Sequence, residues 1–289
     1  MRKIAWIGTG VMGNAMAKHL MDAGYAVNVF TRSPLKAQNL IDAGAVWFDS
    51  VAECVKGADI VFTMVGYPKD VEEVYGGENG ILRHATKGTI CVDMTTSSPK
   101  LAQRLYQEGK TRGISVLDAP VSGGDVGARN ATLAIMVGGD EDAFNEVLPL
   151  FEKLGKNIRR MGQASFGQHT KMANQIAVAG AIAATTEAIL YAQASGLDAD
   201  KMLQAISTGA AGSWQLSNNG PKILKNDTAP GFYIHHFVKD MDLVMEEATG
   251  FQLDLPILAE VLKKYRTLLE EGHGMLGTQA LIKAYREEN

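Results

Sequence analysis

Three glycines near the N-terminus constrain this chain more than any other feature. Ile4 to Ile7 is a short apolar run, suited to a strand buried on both faces. It leads into Gly8-Thr9-Gly10-Val11-Met12-Gly13, which fits G-x-G-x-x-G. Each glycine answers a separate demand. Gly8 allows the tight turn out of the strand, and Gly10 lets backbone approach a pyrophosphate. Gly13 lets the next helix pack close to the sheet, with free N–H groups at that helix's start facing the phosphates. Met12, Ala15, Met16 and Leu20 continue at helical spacing, Gly24 stands where a helix-ending glycine belongs, and Ala26 to Phe30 reads as a second strand. Alone, such a triplet is also an ordinary glycine turn. Between a strand and a helix it has the context of a dinucleotide site, formed by Gly8, Thr9, Gly10, Val11, Met12 and Gly13.

The first half goes on alternating. A helix is expected from Pro34 to Asp42, a short strand near Val46, and a helix from Val51 to Lys56. Strands are expected at Ala58–Val65, Thr89–Met94, Ser115–Asp118 and 132–137, with helices from Pro99 to Thr111 and from Asp140 to Leu154. This repetition argues for an α/β fold with a doubly wound, Rossmann-type parallel sheet. Composition changes near residue 162, and beyond it only helical patterns stand out. The organisation expected is therefore a nucleotide-binding domain over 1–162 and an all-α domain over 163–289. The first helix there, about Gln168 to Ala194, contains Ile176 to Ala184, apolar on every side. Such a segment is expected to be buried and is too short for a membrane, which makes it the spine of the second domain. Further helices are expected at 198–208, 213–224, 238–249, 256–271 and 277–286.

A hydrophobic fraction of 46% against 21% charged residues fits an ordinary globular chain, and a net charge of −4 argues against nucleic acid as a partner. Cys54 and Cys91 are far apart and read as isolated buried thiols. With the strand starting at once and no signal-type stretch, the expected location is cytoplasmic, with no membrane partner. No His, Cys or carboxylate cluster has metal-ligand spacing, so no metal is assigned. His235 and His236 are adjacent and should point differently, and His169 has no acid beside it.

Other positions bear on chemistry. Arg32 ends the second strand, about 20 residues beyond the glycines, where a carboxylate would hold the ribose 2′-hydroxyl of NAD. Thr31-Arg32-Ser33 with Lys36 contains no acid. An arginine there can grip a 2′-phosphate with two hydrogen bonds, which favours NADP(H) while leaving NAD possible; the plain alternative is a solvated loop arginine. Met64-Val65 and Thr95-Thr96 follow later strands, where ligands of parallel sheets sit, although each could be a plain connection. Ser122-Gly123-Gly124 offers a hydroxyl and free backbone N–H groups suited to a carboxylate, but such a turn is often only a turn. Lys171 and Asn174 are three apart and share a helical face at the mouth of the apolar helix. A helical lysine is usually a solvated charge; a partly desolvated one can pass a proton. Lys239 opens another helix at the edge of its apolar stripe, with the same two readings.

Together, Ile7 to Gly13, Asp118 to Gly124, Gly167-x-x-x-Lys171-x-x-Asn174 and Lys239-Asp240 resemble the β-hydroxyacid dehydrogenases. This is the family of 3-hydroxyisobutyrate dehydrogenase, tartronate semialdehyde reductase and the glyoxylate/succinic semialdehyde reductases, more distantly of 6-phosphogluconate dehydrogenase. The segments span nearly the whole chain in the family's order. The resemblance implies that Lys171 is the catalytic lysine and Asn174 the substrate-positioning asparagine. It implies that Ser122, Gly123 and Gly124 hold the substrate carboxylate, and that Thr96 and Lys239 contact the nicotinamide end of the cofactor. It also implies a small carboxylate-bearing substrate, a cleft between the domains and a homodimer or homotetramer. Three departures from the family pattern stand out: Ser165 replaces a glycine, Gln175 a second asparagine, and Thr95-Thr96-Ser97 a Ser-Thr-Ile.

Overall fold

The computed structural model describes residues 2–286, and the chain divides into two compact units, Met1–Lys171 and Met172–Asn289. The first is built on a sheet ordered β3-β2-β1-β4-β5-β6-β8-β7. Its strands are β1 (Lys3–Ile7), β2 (Ala26–Phe30), β3 (Val46–Trp47), β4 (Ile60–Thr63), β5 (Ile90–Asp93), β6 (Ser115–Asp118), β7 (Val121–Ser122) and β8 (Leu133–Gly138). The first six are parallel in the order expected of a dinucleotide-binding sheet. β8 then runs antiparallel to β6 and β7 and parallel to β9 (Gly155–Gly162).

Alternation along β1 shows that both sheet faces are covered. Ile4 and Trp6 join one core with Phe62, Met16 and Leu20, while Ala5 and Ile7 join another with Val61, Tyr75 and Leu105. Four longer helices supply the covering surfaces: α1 (Val11–Asp22), α2 (Pro68–Gly76), α3 (Pro99–Thr111) and α4 (Glu141–Phe151). α2, with Ile81–His84 after it, forms helix where the sequence analysis placed none, and the Pro34–Asp42 segment divides into a 3-10 turn and an α-helix at Gln38. β9 is also new. Its sequence, Gly-Lys-Asn-Ile-Arg-Arg-Met-Gly, is mostly exposed and has no apolar rhythm to betray a strand.

Among the described residues the second unit contains helices and one isolated bridge, Tyr233 with Gly277. Its longest helix, α5 (Phe166–Ala194), begins in the first unit; α6 (Ala199–Ile206), α7 (Ile234–Gly250) and α8 (Pro256–Glu270) follow. Ile182, Phe237, Met241, Val244, Tyr265 and Leu268 lie at the centre of its core. The expectation of a spine buried on every side is corrected here. Ala179, Ile182 and Ala183 are buried, but Ala177 and Ala184 are exposed within the chain. At 29 residues, α5 is also long and apolar enough, by length and composition alone, to cross a bilayer, which the nine-residue run is not; core helices meet the same measure. Residues 213–224, expected as one helix, contain a π-helical turn at Gln215–Asn219.

Candidate active site

The glycine loop shows how each small residue is used. Gly8 has φ +95°, and a Cβ on it would lie 2.3 Å from the Met64 carbonyl oxygen. A Cβ on Gly13 would lie 2.1 Å from the Gly8 oxygen, so α1 meets the turn backbone to backbone. Gly10 caps α1 without a side-chain hydrogen bond, and a Cβ there would meet nothing within 4 Å. The first N–H groups of α1 therefore have no side-chain cap, and the backbone at Gly10 is open to a close approach, the arrangement that receives a phosphate. The Thr9 hydroxyl is buried and has no hydrogen-bond partner among the described residues. A buried polar group without a partner is costly and points to a ligand that supplies one. The loop therefore fits the pyrophosphate of a dinucleotide. Val11 is exposed beside it, and Met12 packs on the core below.

At the end of β2, Thr31 is buried and Ser33 precedes the 3-10 turn that carries the exposed Lys36. The Arg32 side chain is 80% exposed, with one guanidinium nitrogen 3.3 Å from Asp70 Oδ1. Asp70 is held in the first turn of α2, where its other oxygen accepts the Tyr67 N–H at 3.0 Å. An ion pair this exposed is weak, so Arg32 is free to turn to another anion.

The exits of β4, β5 and β6 form one hydrogen-bonded assembly. Val65 N–H donates to Thr95 Oγ1 at 3.0 Å, placing Met64-Val65 against the loop that carries Thr96. Asp93, at the end of β5, accepts from Thr63 Oγ1 at 2.8 Å and Thr95 N–H at 3.1 Å. Asp118, its register partner on β6, accepts the N–H groups of Ser165 at 2.7 Å and Gln168 at 2.8 Å. Burial pushes both carboxyls up to about 6, and the hydrogen bonds pull against that rise. Asp118 therefore caps the start of α5 from the strand that leads into Ser122-Gly123-Gly124. Gly123 and Gly124 have φ +132° and +63°, which turns the backbone there as only glycine does readily. Lys171, on the second turn of α5, is buried, at 6% exposure.

In the second unit, Asn174 Nδ2 donates to Gln175 Oε1 at 2.7 Å, and Gln175 Nε2 donates to Asp240 Oδ2 at 2.6 Å. Asp240 Oδ1 is 2.9 Å from Lys239 Nζ, and both side chains are largely buried. Asn174 and Lys239 thus end one polar chain, whose two middle members the sequence analysis assigned no role. His235 and His236 do not point apart as expected, because their ring centroids are 4.1 Å apart. Burial, and then electrostatic repulsion from the neighbouring His235 and Lys239, lowers His236 to about 4. No group of three His, Cys or carboxylates suited to a metal occurs among the described residues, and both cysteines are buried and free.

Sequence reasoning did not single out Gln168 and Asp93, and it quoted Asp118 and Asp240 within motifs, and Gln175 as a departure, without giving any of the three a role. A signal existed for Asp93 and Asp118: each follows three strand residues and ends its strand at the carboxyl edge of the sheet. None marked Gln168, one polar residue among several in its helix.

Residues 3–162 match the family model of the NAD binding domain of 6-phosphogluconate dehydrogenase. Residues 165–285 match that described as NAD-binding of NADP-dependent 3-hydroxyisobutyrate dehydrogenase. The chain is 46% identical to a probable 3-hydroxyisobutyrate dehydrogenase-like protein of Arabidopsis thaliana, over 99% of this chain and 86% of that one. It is 41% identical to the 2-hydroxy-3-oxopropionate reductase of Escherichia coli, over 98% and 96%. Among solved structures, the 3-hydroxyisobutyrate dehydrogenase of Mycobacterium tuberculosis with L-serine superposes with a TM-score of 0.91 at 31% identity, covering 99% of both chains.

Proposed function

Since the chain belongs to the NAD(P)-dependent hydroxyacid dehydrogenases of the 3-hydroxyisobutyrate dehydrogenase type, we propose that it interconverts a small semialdehyde or 2-oxo acid and its hydroxy acid, with NADPH preferred and Lys171 as general acid/base. The observation that carries this reading is the burial of Lys171, one turn beyond the helix start that Asp118 caps. A lysine kept for surface charge would lie in water.

The loop from Gly8 to Gly13 would hold the pyrophosphate, and Thr31, Arg32, Ser33 and Lys36 the adenosine end. Met64, Val65, Thr96 and Lys239 would line the rest of the cofactor. When bound, the nicotinamide supplies a hydride to the substrate's carbonyl carbon, or takes one from the corresponding alcohol carbon. Ser122, Gly123 and Gly124 hold the substrate carboxylate through a hydroxyl and backbone N–H groups. Asn174 orients the substrate. Lys171 gives a proton to the substrate oxygen in reduction and takes it back in oxidation.

One observation favours a second reading, in which NAD also serves and a 3-hydroxy acid is oxidised. Asp70 stands beside Arg32 and would lie close to a 2′-phosphate gripped there. Kinetics with both cofactors on glyoxylate, succinic semialdehyde and methylmalonate semialdehyde separate the readings. Lys171→Ala is expected to lower turnover by about 10²-fold or more while NADPH affinity stays nearly intact. Unchanged turnover removes Lys171 from this role. Arg32→Asp is expected to weaken NADPH relative to NADH, and a preference that stays put makes the Arg32 assignment wrong. NADPH binding with silence on every substrate would leave a non-catalytic NADP-binding module.

A further inference from the structure

We propose that Gln168 is a positioning residue for Lys171, clamping the Thr95–Ser97 loop to the first turn of α5 and so fixing the helix turn that carries the lysine relative to that loop. This rests on the proton-transfer role given to Lys171 above.

Gln168 is fully buried and uses its amide at both ends. Oε1 accepts the Ser97 N–H at 2.9 Å, and Nε2 donates to the Thr95 carbonyl at 2.8 Å. A planar amide offers a donor and an acceptor in one fork, matching a carbonyl and an N–H two residues apart in the loop. Its own backbone N–H meanwhile donates to Asp118 Oδ2. One residue therefore joins three segments: the exit of β5 that carries Thr96, the exit of β6 that leads to Ser122, and the helix that carries Lys171.

The junction leaves no room for slack. A Cβ on Gly167 would lie 2.4 Å from the Met136 carbonyl oxygen and 2.6 Å from that of Asp118. A Cβ on Gly138 would lie 2.5 Å from Asp118 Oδ1. The start of α5 thus sits directly on the strand ends. Lys171 is three residues, about 4.5 Å of helix, beyond Gln168. A tilt of the first turn passes straight to the lysine, and a displacement of about 1 Å in a proton-transfer geometry costs up to about 10²-fold in rate.

The test uses Gln168→Met, which keeps length and helix propensity and removes both side-chain bonds, and Gln168→Glu, which keeps only the acceptor. Amide exchange in the cofactor-free protein is expected to quicken about tenfold at Ser97 in Gln168→Met. Turnover is expected to fall by about 10- to 10²-fold, with substrate KM changed less than about threefold and a larger isotope effect from 4-deuterated NADPH. Gln168→Glu sets a carboxylate oxygen against the Thr95 carbonyl and is expected to lower turnover at least as far as Gln168→Met, and it carries the test should the methionine variant not fold. Unchanged Ser97 exchange overturns the clamp. Faster exchange with turnover within about twofold of the parent overturns the positioning role and leaves a purely structural one. Failure of the underlying reading shows separately, as full turnover in Lys171→Ala, and does not touch the exchange result.

Discussion

Ser165 stands where the resembling family has glycine, and the backbone shows why glycine suits that place. Its φ is +77°, in the left-handed region, immediately before α5. A side chain there costs about 1–2 kcal/mol, partly offset by the extra entropy a glycine would lose on ordering. The residue is held in this shape because its N–H must reach Asp118. Ser165→Gly is therefore expected to stabilise the chain by about 0.5–1 kcal/mol in urea denaturation, and a loss of stability would show that the serine makes a compensating contact. The departure was legible in the sequence as a mismatch; its strain was not, because φ depends on a bond to a residue 47 positions away. The glycines at 8, 10 and 13 are the opposite case. Their demands are local, so the motif indicated the turn, the open cap and the close packing that the structure contains.

Among elements, β5 and β6 each end on a buried acid, and these make a pH-dependent contribution to stability. The groups facing Asp93 are the Thr63 and Thr95 donors and Asp118, whose charge adds to the rise; around Asp118 they are backbone N–H groups. For both acids the native carboxyl binds its proton more tightly than the unfolded one. The stability they contribute is thus complete below about pH 4 and lost as pH rises through about 6. His236 works against them: lowered to about 4, it favours the native state above its ordinary value of 6.5 and costs stability as pH falls between the two. Comparison with Asp93→Asn isolates one carboxyl. From pH 7.5 to 4.5 the parent should gain stability over this variant, on the order of 2 kcal/mol, because a pKa unit corresponds to about 1.4 kcal/mol. A difference that does not change with pH overturns the assignment. The apolar strands themselves were legible, since burial on both faces makes a continuous apolar run. β9 was not, because an exposed edge strand gains its order from pairing with β8, which leaves no trace in its own pattern.

At the scale of the whole molecule, α5 keeps one face exposed along much of its length. Ala173, Ala177, Ala184 and Tyr191 are spaced by four, seven and seven residues, so they line one face of the helix, and all are exposed within the chain. A solvent-facing stripe normally carries several charges, whereas here Glu187, between Ala184 and Tyr191, is the charged residue on a face otherwise made largely of methyl groups. Small side chains let another helix approach closely, and an exposed apolar surface of this kind is a site where association is expected. The apolar run was legible in the sequence, but composition does not say which of its faces packs inside the chain, and Ala177 and Ala184 do not. Light scattering on the eluted protein is expected to give a homodimer or homotetramer. Ala184→Arg places a charge in the middle of the stripe without touching the buried side of α5. It is expected to shift the protein to a smaller species while the helical signal remains. A parent that elutes as a monomer at micromolar concentration would mean that the stripe faces water after all. A variant that keeps the parent's mass would place the interface on another surface.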